Sequence, residues 1–409
     1  MAKHVIILGA GSSFTSGYPT NNRLGSILSS SERFEQYVQD QDAAPQLKEK
    51  LIREFLNEEK WLDPFREGAF GSADEFSFVA RGKLKSVVQD LKWYISWIFA
   101  LHNPEGSYPK PGSSDKQDTT GRESSDYYPF IQKLFGATAT FHDLPKEIAV
   151  LTYNYDAYFE YLLSKAYKAR KRTMGDELPF PTALLSGFDD LNAATIRTEN
   201  NFCLLKLHGT SVLPAFDSRD QPPRILTFDE VFENRAKLAM LPDPLRVERP
   251  KTFPIFFPWE LITEQGEFVS KEQFRDVKHT VDNREYYDIF RAIWERGQRE
   301  VKEAERISFV GFSGHPFMEH GLRFLFKARA RQIEEDTKRP LEVVTANPDS
   351  VPKGHRGNAP PPGGHVNRLQ KLLEAACPGL PFADLPPGKP GLGKVACYPD
   401  FKSFLYAEL

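Results

Sequence analysis

His208, Asn154 and Asp156 are the side chains of this sequence whose types and settings best suit bond-breaking chemistry. Each stands at the end of a short apolar run. LLKLHG at 204–209 ends on His208, and VLTYNYD at 150–156 ends on Asn154 and Asp156. Two further runs, VIILGAGSSFTSGYP at 5–19 and FVGFSG at 309–314, end in glycine and serine. A neutral imidazole can take up a proton near pH 7. A carboxamide can donate and accept hydrogen bonds at one ligand, and a carboxylate can steady a developing positive charge. The turn Gly9-Ala10-Gly11-Ser12-Ser13 lets backbone approach a pyrophosphate closely, with amide donors at a helix start to bind it. In an open α/β sheet, ligands bind outside the carboxyl ends of the strands. Four such segments in one chain therefore read as a nucleotide site holding an Asn, an Asp and a His.

The elements that must position these residues alternate along the chain. Val5–Leu8 is four consecutive apolar residues, the pattern of a strand buried on both faces. A region from about Asn22 to Leu101 reads as helical, with Leu84, Val87, Val88, Leu91, Tyr94, Ile95 and Ile98 spaced for one apolar, core-facing helix face. Residues 103–126 are polar and turn-rich, a surface excursion. Glu147–Thr152 is the second strand, and Asp156–Leu163 a helix with a carboxylate favourably placed near its start. Phe202–Leu207 is the next strand, and 214–258 reads as irregular, proline-rich chain packed on the core. A helix over Glu285–Arg306 carries Tyr286, Ile289, Phe290, Ile293 and Trp294 on one stripe. Then come a strand at Ile307–Phe312, a helix at Leu322–Ile333, a strand at Leu341–Thr345, loops at 351–364 and 378–393, and a last strand and helix at Lys394–Tyr398 and Asp400–Leu409. This alternation predicts an α/β fold, a mostly parallel Rossmann-like sheet with helices on both faces. The expected organisation is a single domain over 1–409. Its core comes from about 1–20, 145–213, 305–350 and 394–409, with helical insertions at about 21–144 and 214–304.

Composition narrows the function classes. The 409 residues are 40% hydrophobic and 27% charged, as in ordinary globular proteins. A formal charge of -3 lacks the basic excess of a nucleic-acid-coating surface, so direct nucleic-acid binding is not expected. Cys203, Cys377 and Cys397 lie far apart, which disfavours a disulfide framework and a four-thiolate zinc site and suits a reducing cytosol. No apolar stretch approaches the ~20 residues that span a bilayer. Val5–Leu8 is too short for a signal peptide, so a cytoplasmic protein without a cleaved presequence or membrane contact is expected.

Several motifs fall short of their chemistry. Phe14 replaces the last glycine of G-x-G-x-x-G, and no persuasive acidic residue follows a second strand ~20 residues on, which disfavours hydride transfer. Gly311-Phe312-Ser313-Gly314-His315 lacks the final glycine of a nucleophile elbow. His315, Glu319 and His320 fit neither H-E-x-x-H nor H-x-x-E-H, and no metal is expected. The basic run Lys168–Arg172 reads as a solvated helix end.

Taken together, the matching segments carry a resemblance. Gly9-Ala10-Gly11-Ser12-Ser13, followed by Ser16-Gly17-Tyr18-Pro19, resembles the phosphate-binding turn of sirtuins and the small-residue–Gly–x–Pro segment after it. Thr152-Tyr153-Asn154-Tyr155-Asp156 is similar to the family's Thr-x-Asn-x-Asp motif, and Leu207-His208-Gly209 to its catalytic His-Gly. Gly311-Phe312-Ser313 resembles its ribose-contacting Gly-x-Ser, and Asn347, after Ala346, falls where the family often places an adenosine-ribose contact. The matches are in family order and cover about a tenth of the chain. The resemblance is specifically to the sirtuin-like NAD-cleaving proteins of bacterial antiphage defence.

That resemblance implies a sirtuin fold with NAD as substrate. It makes His208 the group that takes the proton from the attacking oxygen, and sets Asn154 at the reacting ribose or the water. Asp156 would hold the carboxamide or the developing positive charge. Gly9–Ser13, Pro19, Thr152, Gly311, Ser313 and Asn347 would bind the rest of the dinucleotide. Sirtuin deacylases carry a four-cysteine zinc ribbon soon after the His-Gly, whereas here no cysteine follows His208 before Cys377. The implied reaction is therefore hydrolysis of NAD to nicotinamide and ADP-ribose. Cyclisation stands beside it, since sequence does not fix which nucleophile reaches the anomeric carbon. A non-enzymatic module that binds NAD or ADP-ribose and assembles is the alternative of another class. An NAD-depleting enzyme needs gating, so self-assembly into a homo-oligomer, or a partner such as a hexameric DNA-translocase ATPase or a short Argonaute, is expected by analogy.

Overall fold

Four apolar residues in succession leave β1 (His4–Leu8) no solvent face, and Val5, Ile6, Ile7 and Leu8 are all fully buried at the centre of the sheet. The computed structural model describes residues 3–41, 43, 45–57, 72–80, 85–102, 125–136, 144–163, 165–166, 202–211, 214–215, 224–225, 255–275, 284–314, 318–334, 339–347, 364–386, 389, 391–392 and 394–409. On one side of β1 lies β2 (Ile148–Thr152) and beyond it β3 (Cys203–Lys206). A small antiparallel ribbon, β4 (Pro214–Ala215) with β5 (Arg224–Ile225), stands apart from this sheet. On the other side of β1 come β6 (Arg306–Val310), β7 (Glu342–Ala346) and β9 (Val395–Tyr398). The two-residue β8 (Gly391–Leu392) pairs antiparallel at that edge, inside a stretch expected to be loop.

The six longer strands are all parallel. Taken in chain order, they run third, second, first, fourth, fifth, sixth across the sheet. This is the doubly wound order of Rossmann folds, in which the direction of winding reverses between the first and fourth strands. The register lines up the carboxyl ends. Leu8 pairs with both Thr152 and Val310, Thr152 with Lys206, and Val310 with Ala346. The residues that follow (Gly9, Tyr153, Leu207, Gly311 and Asn347) consequently leave the sheet from one edge.

The helices expected at 285–306, 322–333 and 400–409 are present as Arg284–Glu303, Met318–Glu334 and Phe401–Glu408, and a further helix, His365–Ala376, lies between the two expected loops. The first insertion supplies Asn21–Leu28, Ser31–Gln39, Pro45–Asn57, Ala73–Ala80, Lys85–Leu101 and Tyr127–Phe135. Lys85–Leu101 differs from the one-faced helix the spacing predicts, because every residue from Leu91 to Leu101 is buried. Tyr94 packs edge-on to Phe55 at 4.9 Å, and the opposite side meets the second insertion through Lys92. β6 also ends two residues earlier than expected, because Gly311 turns the chain with φ +61°. Among the described residues, no helix is long and apolar enough to cross a membrane. The Lys168–Arg172 run, His315, Leu84, all of 103–124 and 351–363, and most of 214–258 lie outside the described residues.

Candidate functional site

β1 ends in a 3-10 turn, Ala10–Ser16, not an α-helix. Its two glycines serve a purpose that local sequence does not show. The Gly9 amide donates to the Val310 carbonyl and the Gly11 amide to the Gly311 carbonyl, each at 2.9 Å. A Cβ on Gly9 would come within 2.7 Å of the Gly311 oxygen, and one on Gly311 within 2.0 Å of the Ser12 nitrogen. The glycine turn is thus packed backbone to backbone against the Gly311 turn, where the winding of the sheet reverses. Ala10 is half-buried, Pro19 is buried, and Phe14 projects from the same turn as an exposed ring.

Ser12 and Ser13 are buried beneath this turn and meet the end of β2. The Asn154 Nδ2 lies 3.0 Å from Ser12 Oγ and 2.9 Å from Ser13 Oγ, with the Tyr127 hydroxyl at 3.2 Å. Ser12 donates its own proton to the Gly9 carbonyl at 2.7 Å, and Ser13 donates to Asp156 Oδ2 at 2.7 Å. Both serine oxygens are therefore left as acceptors, which puts the amide nitrogen of Asn154 on the serine side. Its Oδ1 is buried and has no hydrogen-bond partner. Thr152, the last residue of β2, accepts the Asn154 backbone N–H on its Oγ1 at 3.0 Å and so fixes the bend that delivers the side chain.

Asp156 is spent inside this arrangement. One oxygen takes the Ser13 proton and the other accepts the Tyr158 amide at 3.2 Å, at the start of the following helix. Burial raises its pKa, opposed by the Lys206 ammonium and by those hydrogen bonds. Lys206, the last residue of β3, reaches the Asp156 carbonyl at 2.5 Å and pairs with Glu160 at 2.6 Å in the buried interior. Burial likewise raises the Glu160 pKa, and Lys206 again opposes it.

His208, two residues further along, is 1% exposed. Its ring lies between Tyr153, edge-on at 4.8 Å, and Tyr155, stacked at 5.8 Å, so both aromatic neighbours of Asn154 pack on it. Nε2 has no hydrogen-bond partner, and burial alone lowers the pKa from 6.5 to about 3. The Thr210 hydroxyl beyond it is likewise buried without a partner. Unpaired buried polar atoms are rare and call for an explanation. Here Asn154 Oδ1, His208 Nε2 and Thr210 Oγ1 all belong to the segments that follow the carboxyl ends of two neighbouring strands, β2 and β3.

Both insertions close over this site. The Phe256 amide donates to the His208 carbonyl at 2.9 Å, and Gly209 bridges Ile255. Tyr155 donates to Asp74 at 3.1 Å. Lys92 pairs with Glu260 at 2.8 Å and sits 5.0 Å above the Phe256 ring, so the two insertions meet through a buried ion pair.

The remaining expected residues are placed differently. Gly311 serves the turn described above. Ser313 is exposed. Asn347 donates its Nδ2 to the Phe312 carbonyl at 3.1 Å, holding the loop that carries Ser313. Tyr127 and Thr210 are site residues that sequence reasoning missed. Thr210 adjoins the His-Gly pair, a proximity that could have flagged it, whereas nothing local marks Tyr127. Compared with protein-family models and with curated proteins, the chain matches none.

Proposed function

We propose that this site cleaves NAD at the nicotinamide–ribose bond, releasing nicotinamide and ADP-ribose. The observation that carries the reading is the pair of partnerless buried polar atoms, Asn154 Oδ1 and His208 Nε2, beyond adjacent strands of a sheet with Rossmann strand order. The N-glycosidic bond breaks with its electron pair going to the nicotinamide ring nitrogen. Water bonds to the oxocarbenium-like anomeric carbon, and its proton passes to His208. Asn154, its nitrogen tied to the two serines, directs its oxygen to the reacting sugar or the water. Asp156 accepts the Ser13 proton on one oxygen and the Tyr158 amide on the other, and in this reading it orients the turn through Ser13. Enclosure of His208 by Tyr153 and Tyr155 limits bulk water at the site, which strengthens each polar interaction inside. Gating by self-assembly or by a partner protein, and a role in antiphage defence in the cytoplasm, belong to the same proposal through the sirtuin resemblance.

Incubation of the protein with NAD, with and without candidate partners, followed by chromatography of the products tests it. Nicotinamide and ADP-ribose are expected in equal amounts. Cyclic ADP-ribose would assign the capture step to a nucleophile within the substrate, and binding without turnover in any mixture would overturn the enzymatic reading.

The burial of His208 also sets a pH dependence. With its pKa lowered to about 3, the imidazole of the free enzyme is neutral throughout the physiological range. Lowering the pH from 8 to 5.5 therefore protonates almost none of it, and kcat/KM should show no fall centred near 6.5. The kcat/KM profile reports groups of the free enzyme. A break near 6.5 that vanishes in His208→Gln would show a solvated, ordinary histidine instead.

A further inference from the structure

The buried phenol of Tyr127 reaches the centre of the site from the first insertion. Its hydroxyl lies 3.0 Å from Ser12 Oγ, 2.8 Å from Ser13 Oγ and 3.2 Å from Asn154 Nδ2. The proton inventory gives this contact a direction. Ser12 and Ser13 have committed their single protons to the Gly9 carbonyl and to Asp156. The phenol can therefore only donate to a serine, and its oxygen faces the Asn154 amide as a further acceptor. Burial and the nearby Asp156 charge raise the Tyr127 pKa, which keeps it a neutral donor. The ring is anchored apart from the hydroxyl, against Phe159 at 5.1 Å and Phe401 at 6.1 Å. Neighbouring Ser125 ties the same segment to the turn through Ser16 at 2.7 Å.

We propose that Tyr127 is a positioning residue for Asn154: its hydroxyl locks the Ser12–Ser13 pair that holds the amide nitrogen, and so keeps the carboxamide oxygen presented to the ligand. The inference rests on the role given above to Asn154. It also makes the first insertion a contributor to the site: a helix outside the Rossmann core sets the orientation of a residue inside it.

Tyr127→Phe removes the hydroxyl and keeps the ring, so the packing against Phe159 and Phe401 survives. Two readouts decide the case. The first needs no substrate: in protein labelled with ¹⁵N at asparagine, the Asn154 side-chain NH₂ signal is identified by its loss in Asn154→Ala. Its exchange with solvent should be at least about tenfold faster in Tyr127→Phe. The second is turnover of NAD, where kcat should fall about tenfold with KM within twofold of wild type. Phe130→Leu disturbs the same aromatic packing, since Phe130 lies 5.3 Å from Phe159 and 5.4 Å from Phe401, without touching the hydroxyl network. It should move neither readout. Unchanged amide exchange in Tyr127→Phe, or equal effects from Phe130→Leu, would overturn the proposal. If wild-type protein releases no nicotinamide, the NAD reading fails, and the amide exchange still decides the role of Tyr127.

Discussion

Replacing His208 by alanine should lower nicotinamide release by about 10²–10⁴-fold, the usual cost of losing a general base. The fold should survive, because Nε2 has no hydrogen-bond partner and its removal leaves no buried donor or acceptor stranded. The ring does pack between Tyr153 and Tyr155, so alanine leaves a gap there. His208→Gln fills most of that gap without supplying an imidazole, and it should be as inactive as alanine while melting closer to wild type. Calorimetry with ADP-ribose completes the test, since binding within a few-fold of wild type separates a lost base from a collapsed site. A variant retaining more than a tenth of wild-type turnover rules out the role given to His208.

The second large effect is on stability. Gly311→Ala should cost on the order of 4 kcal/mol or more, the range in which single substitutions point to one definite steric cause. The added methyl would stand 2.0 Å from the Ser12 nitrogen and 2.3 Å from the Gly11 carbonyl carbon. Both are backbone atoms held by the central strand, and neither can swing aside as a side chain would. The left-handed φ of +61° adds its own strain. For a chain of this length such a loss corresponds to a melting point lower by about 5 °C, or to failure to accumulate folded protein. Gly314→Ala, three residues on, is the matched comparison. It has φ +67°, but its methyl would meet nothing closer than 3.6 Å, so only the conformational cost of about 1–2 kcal/mol applies. Equal melting points for the two variants would mean that the glycine-to-glycine contact is not what holds the turn.

What the sequence revealed and what it hid divides along the reach of the interactions. VIIL at 5–8 reads as a strand buried on both faces, and it lies at the centre of the sheet. Asn154, Asp156 and His208 are legible because each directly follows a short apolar run, and β2 and β3 are neighbours, so their ends meet. Gly9 and Gly11 are legible as a special turn, but local sequence suggests room for a phosphate. Their immediate neighbour is the backbone of Gly311, three hundred residues away. Tyr127 was hidden for the same reason. It opens the apolar helix YYPFIQKLF, where a tyrosine reads as core, and its hydroxyl partners Ser12 and Ser13 lie 115 and 114 residues earlier. Lys85–Leu101 shows the converse failure. Its spacing marks one buried face correctly but cannot reveal that Glu260 of the other insertion covers Lys92 on the far side.

The position of β1 in the sheet also governs when the site comes into being. Its two neighbours begin at Ile148 and at Arg306, so β1 acquires its second partner only after about 300 further residues have been made. At ~5–20 residues per second, about 300 residues of translation separate Gly9 from Gly311 by on the order of 15–60 s. During that interval β2 and β3 can pair, but β1 presents a bare edge and the Gly9 and Gly11 amides lack their Val310 and Gly311 carbonyl partners. Nascent or truncated chains ending before residue 306 therefore lack the assembled site, and the open edge makes them prone to aggregate. The site is thus completed late, when the Gly311 turn closes against Gly9 and Gly11.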